Sequence, residues 1–337
     1  MTKKDEAWAI IRDSIVIDGL GGSVVRPTPK VAQGTYEETL MEYGWTAMNS
    51  TIASEPSYTP TWDEALQALY ENLLYFEMTP QAKHIETAAD IVQAKNEGRF
   101  GVILGLQSPS CIGQDRTRLR LLHKLGLRIF QLTYMERNFL GDGCLEPENR
   151  GLAHFGIQIV RECNRLGMLI DCSHVGIQTT IDAATHSADP IVISHTAVRG
   201  ITDNPRCVTN EQMQAVANRG GVVGITAFAP LVRFDRSPTL NDFLDHFDYA
   251  IDLIGEDHVG LATDMFDGKT RVNWATPWYY PEVTQGASHG ALGVQGFASK
   301  ADLVNLVAGM LERGYSKTII QKILGANWMR VLERVWP

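Results

Sequence analysis

Two histidines of this 337-residue chain close short apolar runs of the same form, Ile170-Asp171-Cys172-Ser173-His174 and Ile191-Val192-Ile193-Ser194-His195. Short runs rich in β-branched and aliphatic residues read as buried strands, so both imidazoles stand at strand ends. Neutral imidazole suits zinc and other borderline metals, and catalytic zinc commonly uses three protein ligands and leaves a fourth place for water. Asp264, just after the run His258 to Thr263, offers a nearby carboxylate, so His174, His195 and Asp264 could hold one metal ion. Without a metal, the same three groups could do acid–base chemistry, because strand-end groups in a low-dielectric setting can be tuned toward neutral pKa. The other strand ends supply Asp18-Gly19-Leu20, Ser50-Thr51, Gln107, Tyr134 and Thr226-Ala227-Phe228. Cys172 shares a strand side with His174 and reads as packing. His84, His123, His154, His186, His246 and His258 fall in helices or at strand starts, where surface or capping roles are expected.

The elements that must position these residues repeat along nearly the whole chain. Eight strand-like runs are read at Ser14 to Asp18, Thr46 to Ile52, Gly101 to Leu106, Leu127 to Thr133, Met168 to Cys172, Ile191 to Ser194, Gly221 to Ala227 and His258 to Thr263. Helical patterns lie between them. In Trp62 to Phe76, for example, Leu66, Leu69, Tyr70, Leu73 and Leu74 follow the stripe of a core-facing helix. Gly98, Gly126, Gly167 and Gly314 stand where helices should stop. Eight such units predict a (β/α)8 TIM barrel, with its chemistry at the C-terminal ends of the strands. A doubly wound open sheet is the competing architecture, and the lack of a G-x-G-x-x-G after the first strand counts against it. The reading is one domain over 1–337, with long loops at about 21–43 and 266–297 as pocket walls; the second loop carries Trp274, Trp278, Tyr279, Tyr280 and His289.

Composition narrows the partners. The chain is 44% apolar and 20% charged, which excludes a disordered or fibrous protein. A net charge of −9 with no Lys/Arg block argues against nucleic acid. Behind Lys3 and Lys4 there is no apolar run of a signal peptide, and no stretch reaches the ~18 apolar residues of a membrane span. A cytoplasmic protein with a small-molecule substrate and no membrane contact is expected. Five cysteines at irregular spacing, without a C-x-x-C pair, are expected to be reduced thiols.

Longer stretches carry a resemblance. Gly151-Leu152-Ala153-His154-Phe155-Gly156, the run Arg165 to Val175, Ile193-Ser194-His195-Thr196, Asn204-Pro205-Arg206-Cys207-Val208, Thr263 to Gly268 and Ile323 to Val331 together resemble the renal (membrane) dipeptidase family, peptidase family M19. The likeness runs from about Ile15 to the C-terminus. It implies a (β/α)8 barrel of the metal-dependent, amidohydrolase-like hydrolase type, a two-zinc site, dipeptide hydrolysis and frequently a homodimer. It also implies that His174 and His195 are ligands of the second metal, that Arg206 holds the substrate carboxylate, and that Asp264 handles the proton of the attacking water.

The departures from the family pattern shape the functional expectation. The family's His-x-Asp pair after the first strand is Leu20-Gly21-Gly22 here, its bridging glutamate is Gln107, and its carbonyl-polarising histidine is Tyr134. Two divalent cations close together need bridging and terminal anions, and a neutral amide cannot replace them. One zinc, on His174, His195 and Asp264, is therefore expected. Gln107 and Tyr134 would orient the substrate, with Tyr134 able to donate to a developing oxyanion. The expected protein is a dipeptidase-like hydrolase (EC 3.4.13 type) of a dipeptide or small carboxylate-bearing amide or amino-acid derivative. The alternatives are a metal-free enzyme of altered reaction type and a catalytically inactive small-molecule-binding relative.

Overall fold

The computed structural model describes residues 2–24, 35–52, 60–265 and 293–336. Nine parallel strands make one sheet among these residues: β1 (Ile17–Asp18), β2 (Ala47–Thr51), β3 (Ala82–Ile85), β4 (Phe100–Leu106), β5 (Leu127–Gln131), β6 (Leu169–Asp171), β7 (Val192–Thr196), β8 (Val222–Thr226) and β9 (Val259–Ala262). The order β1-β2-β4-β5-β6-β7-β8-β9, with β3 off the path, is a nearly closed eight-strand barrel. The edge strands meet through Gly19 N, which donates to the Leu261 carbonyl at 3.0 Å. The fold is thus a (β/α)8 TIM barrel, and all eight expected strands are present, most with trimmed ends, while β4 begins one residue earlier and β7 runs on to Thr196.

β3 has no counterpart in the sequence reading. Its four residues, Ala-Lys-His-Ile, are too short and too polar in the middle to register as a buried run. β3 pairs with Phe100 to Ile103 of β4, and β5 pairs with β4 from Leu104 onward across a register shift. Two longer helices also went unread. Lys3–Asp13 begins with a Thr2–Asp5 capping box, and Tyr36–Glu42, inside the expected loop 21–43, begins with a Thr35–Glu38 capping box. In each, the threonine side chain and the acid satisfy each other's backbone N–H, enough to start a helix, in the second case where Pro27, Pro29 and Gly34 nearby suggest a loop. Most of the expected loop 266–297 lies outside the described residues, Trp274, Trp278, Tyr279, Tyr280 and His289 included.

The lower end of the barrel is sealed by the C-terminal helix Asn327–Val335. Ile17, Ala47, Ile103, Ile129, Leu169, Val192 and Val222 form an apolar cluster with Trp328, Val331, Leu332 and Trp336. Trp328 enters because its neighbours lack side chains: a Cβ on Gly19, Gly224 or Gly260 would lie 2.6, 3.0 or 2.6 Å from its indole. Its Nε1 donates to the Leu261 carbonyl at 3.3 Å. Chemistry is confined to the opposite, C-terminal face. No helix of the described residues is long and apolar enough to cross a membrane.

Candidate active site

His174 follows β6 and His195 lies within β7, and both are buried. Their Nε2 atoms face each other at 2.9 Å. Behind His195 lies a polar network that the sequence reading missed. Its Nδ1 is 2.7 Å from Ser194 Oγ, and that hydroxyl is 2.5 Å from Asp171 Oδ2. Asp171 Oδ1 also accepts from the backbone N–H groups of Ser173 and Ser194 and from the Ser173 hydroxyl. Burial raises the Asp171 pKa, while these four donors stabilise its ionised form. With the Ser194 proton given to the carboxylate, the serine oxygen accepts from His195 Nδ1–H. The pattern thereby assigns the lone pair of His195 to Nε2, facing His174.

His174 is set by different means. It and Asp264 are the two non-glycine residues with positive φ among the described residues, at 64° and 52°. Such backbone is costly for a side chain and clusters at functional sites. The His174 carbonyl accepts from Cys144 N at 2.8 Å, which fixes the turn. Its ring stacks on Tyr134, centroids 4.2 Å apart, and Nδ1 lies 3.4 Å from Met135 Sδ. Burial, then the Arg206 charge and then His195 push the His174 pKa well below the usual imidazole value. Burial and then Arg206 do the same to His195. Both rings are therefore neutral at pH 7, the form that binds a metal.

Arg206 completes this side. It is 3% exposed, its Nη2 donates to the His195 carbonyl at 2.7 Å, and its Nη1 has no partner among the described residues. An unsatisfied guanidinium N–H pair in a buried place is expensive, and a carboxylate is its natural complement. His174 and Arg206 line a cavity of about 270 Å³, together with Gly143, Cys144, Arg199 and Gln212 among others. Gln107, half-buried, follows β4, and its carbonyl accepts from the Gln131 amide, which also donates to the Thr133 carbonyl at 2.7 Å.

The seam between β9 and β1 is built otherwise. Asp264 N donates to the Leu20 carbonyl at 2.8 Å, which ties the backbone after β9 to that after β1. Among the described residues no group of three His, Cys, Asp or Glu side chains comes together as a metal site. Of His174, His195 and Asp264, the two histidines converge at Nε2, and Asp264 is tied to β1 by its backbone N–H. Nor do the residues fit a metal beside β1. Leu20 is apolar and buried, and Gly22 sits at φ 91°. A resident cation also occupies the seam: Lys300, 2% exposed, places Nζ 2.8 Å from the Gly21 carbonyl and 3.3 Å from Asp18 Oδ2. Asp18 further accepts from Thr263 N at 2.8 Å and Thr263 Oγ1 at 2.6 Å. The histidine pair, by contrast, fits two ligands of a single ion, with the far nitrogen of His195 oriented through Ser194 by a carboxylate.

His246 corrects another expectation. It is fully buried rather than a surface residue; its Nδ1 accepts from Val198 N at 3.0 Å and its Nε2 donates to the Val232 carbonyl at 3.0 Å. It thereby ties a helix to the loops after β7 and β8. Asp171 and Ser194 had a signal in the sequence: polar residues within otherwise apolar strand patterns.

The fold and site are a parallel (β/α)8 barrel with paired imidazoles and a buried arginine at its C-terminal mouth. The sequence profile of the membrane dipeptidases, peptidase family M19, matches residues 60–286, and the chain belongs to that family. It is 30% identical over 251 residues to the dipeptidase tcpJ of Claviceps purpurea; the match takes in 74% of this chain and 54% of that protein, so it spans about half of the relative's length. An amidohydrolase from Pseudomonas aeruginosa superimposes with a TM-score of 0.86 at 29% identity, over 98% of this chain and 99% of that one. A metallopeptidase from Rhodobacter sphaeroides, bound to a phosphinate mimic of L-Ala-D-Ala, superimposes with a TM-score of 0.77 at 25% identity, over 96% and 100%.

Proposed function

We propose that the chain hydrolyses a dipeptide or a small carboxylate-bearing amide, with Arg206 holding the carboxylate and a single metal ion on His174 and His195. The observation that carries this reading is the buried Arg206 Nη1 without a partner, in the same cavity as His174. The carboxylate seated there places the rest of the substrate toward the two imidazoles. Zinc, when bound, supplies Lewis acidity toward a carbonyl oxygen. Asp264 takes the proton of the attacking water and returns it to the leaving amine. Tyr134, with its ring flat on His174, donates its phenol proton toward the developing oxyanion, and Gln107 orients the substrate.

Without a second cation and its bridging carboxylate, transition-state stabilisation worth several kcal/mol is missing. Turnover of simple L,L-dipeptides should fall well below the ~10 per second of an ordinary enzyme. One observation favours a metal-free alternative: the two imidazoles already meet each other at 2.9 Å, and no third ligand joins them among the described residues. The test is amine release from a panel of dipeptides and N-acyl amino acids, with zinc and with chelator, for the native protein and Arg206→Met. Zinc-dependent release that Arg206→Met abolishes is expected. Release unaffected by chelator would support the metal-free enzyme, and no release from any substrate would support a binding protein.

A further inference from the structure

The cavity carries a second guanidinium, that of Arg199. Arg199 lines the same wall as Arg206, and the two lie on one short loop after β7. That loop is closed on itself. Arg199 N donates to the Val208 carbonyl at 2.9 Å, and Val208 N donates back to the Ala197 carbonyl at 3.0 Å. Asn204 organises its interior: its side-chain oxygen accepts from Arg206 N at 3.0 Å, and its carbonyl accepts from Arg199 Nε and Nη2 at 3.2 and 3.1 Å. The two guanidinium groups are therefore held in place before any ligand arrives, which lowers the ordering cost of binding.

Among the described residues the cavity wall has no free anion to balance them. The one acidic side chain there, Glu146, is taken by Arg137, whose N donates to Oε1 at 2.8 Å and whose Nη2 lies 3.5 Å from Oε2. Burial pushes the thiols of Cys144 and Cys207, on the same wall, up to about 11 and about 12, so neither is a thiolate at neutral pH. Arg199 itself, half-buried, makes no ion pair with the described residues and keeps Nη1 available. A volume of about 270 Å³ falls just below the ~300–1,000 Å³ of drug-sized sites, the scale of one amino-acid residue with its side chain.

Resting on the reading that Arg206 holds the substrate's carboxylate, we propose that the cavity selects substrates whose carboxylate-bearing residue carries a second carboxylate, bound by Arg199. Aspartyl- and glutamyl-type residues are then preferred over their neutral counterparts. Both contacts are charge-assisted hydrogen bonds to guanidinium, which recognises carboxylates with directional N–H groups.

The test is calorimetric binding to the full chain of N-acetyl-aspartate against N-acetyl-asparagine, and N-acetyl-glutamate against N-acetyl-glutamine, each as both enantiomers. These pairs match in shape and differ in one charge. In the native protein one enantiomer of a diacid should bind at least tenfold tighter than its amide. Arg199→Gln should reduce that ratio to within twofold by weakening the diacid far more than the amide, and a melting temperature equal to the parent's shows that the variant is folded. Arg199→Lys should keep part of the preference, and Arg206→Gln should weaken diacid and amide alike. Equal binding of diacid and amide by the native protein overturns the second-carboxylate proposal alone. Equal weakening of both by Arg199→Gln does so as well. Insensitivity of every ligand to Arg206→Gln, or no binding of any ligand, overturns the carboxylate reading of Arg206 and the proposal with it.

Discussion

The two sides of the barrel mouth have been built for opposite purposes. Around β6 and β7, buried polar groups are left able to receive something: two neutral imidazoles meet at Nε2, one of them steered by Ser194 and Asp171, and Arg206 Nη1 lacks a partner. Around β9 and β1, every charge named is met from within the chain, with Lys300 against Asp18 and the Gly21 carbonyl, and Asp18 against Thr263. A buried cation paired inside the protein contributes to closure of the barrel, whereas a buried cation left unpaired awaits an anion. The contrast shows how one barrel mouth of this family's fold can hold both arrangements.

The largest predicted effect comes from breaking the seam. Lys300→Met strands a buried carboxylate at Asp18 and should cost on the order of 3–5 kcal/mol in denaturant unfolding. Adding Asp18→Asn should recover part of that loss, because the leftover charge disappears while the acceptor for Thr263 N remains. A Lys300→Met protein as stable as the parent would show that the seam does not depend on this ion pair.

A second prediction concerns His246, which joins the loops after β7 and β8 on the receptive side. Burial lowers its pKa to about 4, against 6.5 for the unfolded chain. The folded-state value is the lower, so the unfolded chain takes up the proton first as pH falls. The contribution of His246 is thus complete above about pH 6.5 and is lost progressively between 6.5 and 4. At 1.36 kcal/mol per unit, the loss is roughly 3 kcal/mol. Melting curves across that range should show the decline, and His246→Gln should flatten it.

These two residues also mark how far the sequence could be read. Strand runs and helix-stopping glycines carried the barrel, because burial on both faces leaves a continuous apolar signature. The convergence of His174 and His195 followed from their equivalent strand ends. What escaped were features set by tertiary contact. The pairing of Lys300 with Asp18 spans most of the chain, and nothing local marks that lysine as interior. His246 sits on an amphipathic helix where surface exposure was the ordinary expectation, and only the fold turns it between two loops. The positive φ of Asp264 and the bond from its N–H to the Leu20 carbonyl are likewise set by tertiary contact between β9 and β1.

A smaller effect should follow from rebuilding the seam. Gly22→Asp places a side chain at φ 91°, a backbone that costs roughly 1–2 kcal/mol for a residue with a Cβ. A variant with Leu20→His, Gly22→Asp and Gln107→Glu should therefore fold less stably and gain no second metal, because the Lys300 ammonium remains on the Gly21 carbonyl. Adding Lys300→Met should allow a second equivalent of zinc. Metal uptake by the triple variant alone would mean that the lysine yields its place readily.

The most direct measurement is elemental metal content per chain in protein purified without chelator, then dialysed against micromolar zinc. The two-sided mouth predicts one equivalent, lost in His174→Ala and in His195→Ala and retained in Lys300→Met if that variant folds. Two equivalents that survive dialysis, or one that persists without either histidine, would contradict it.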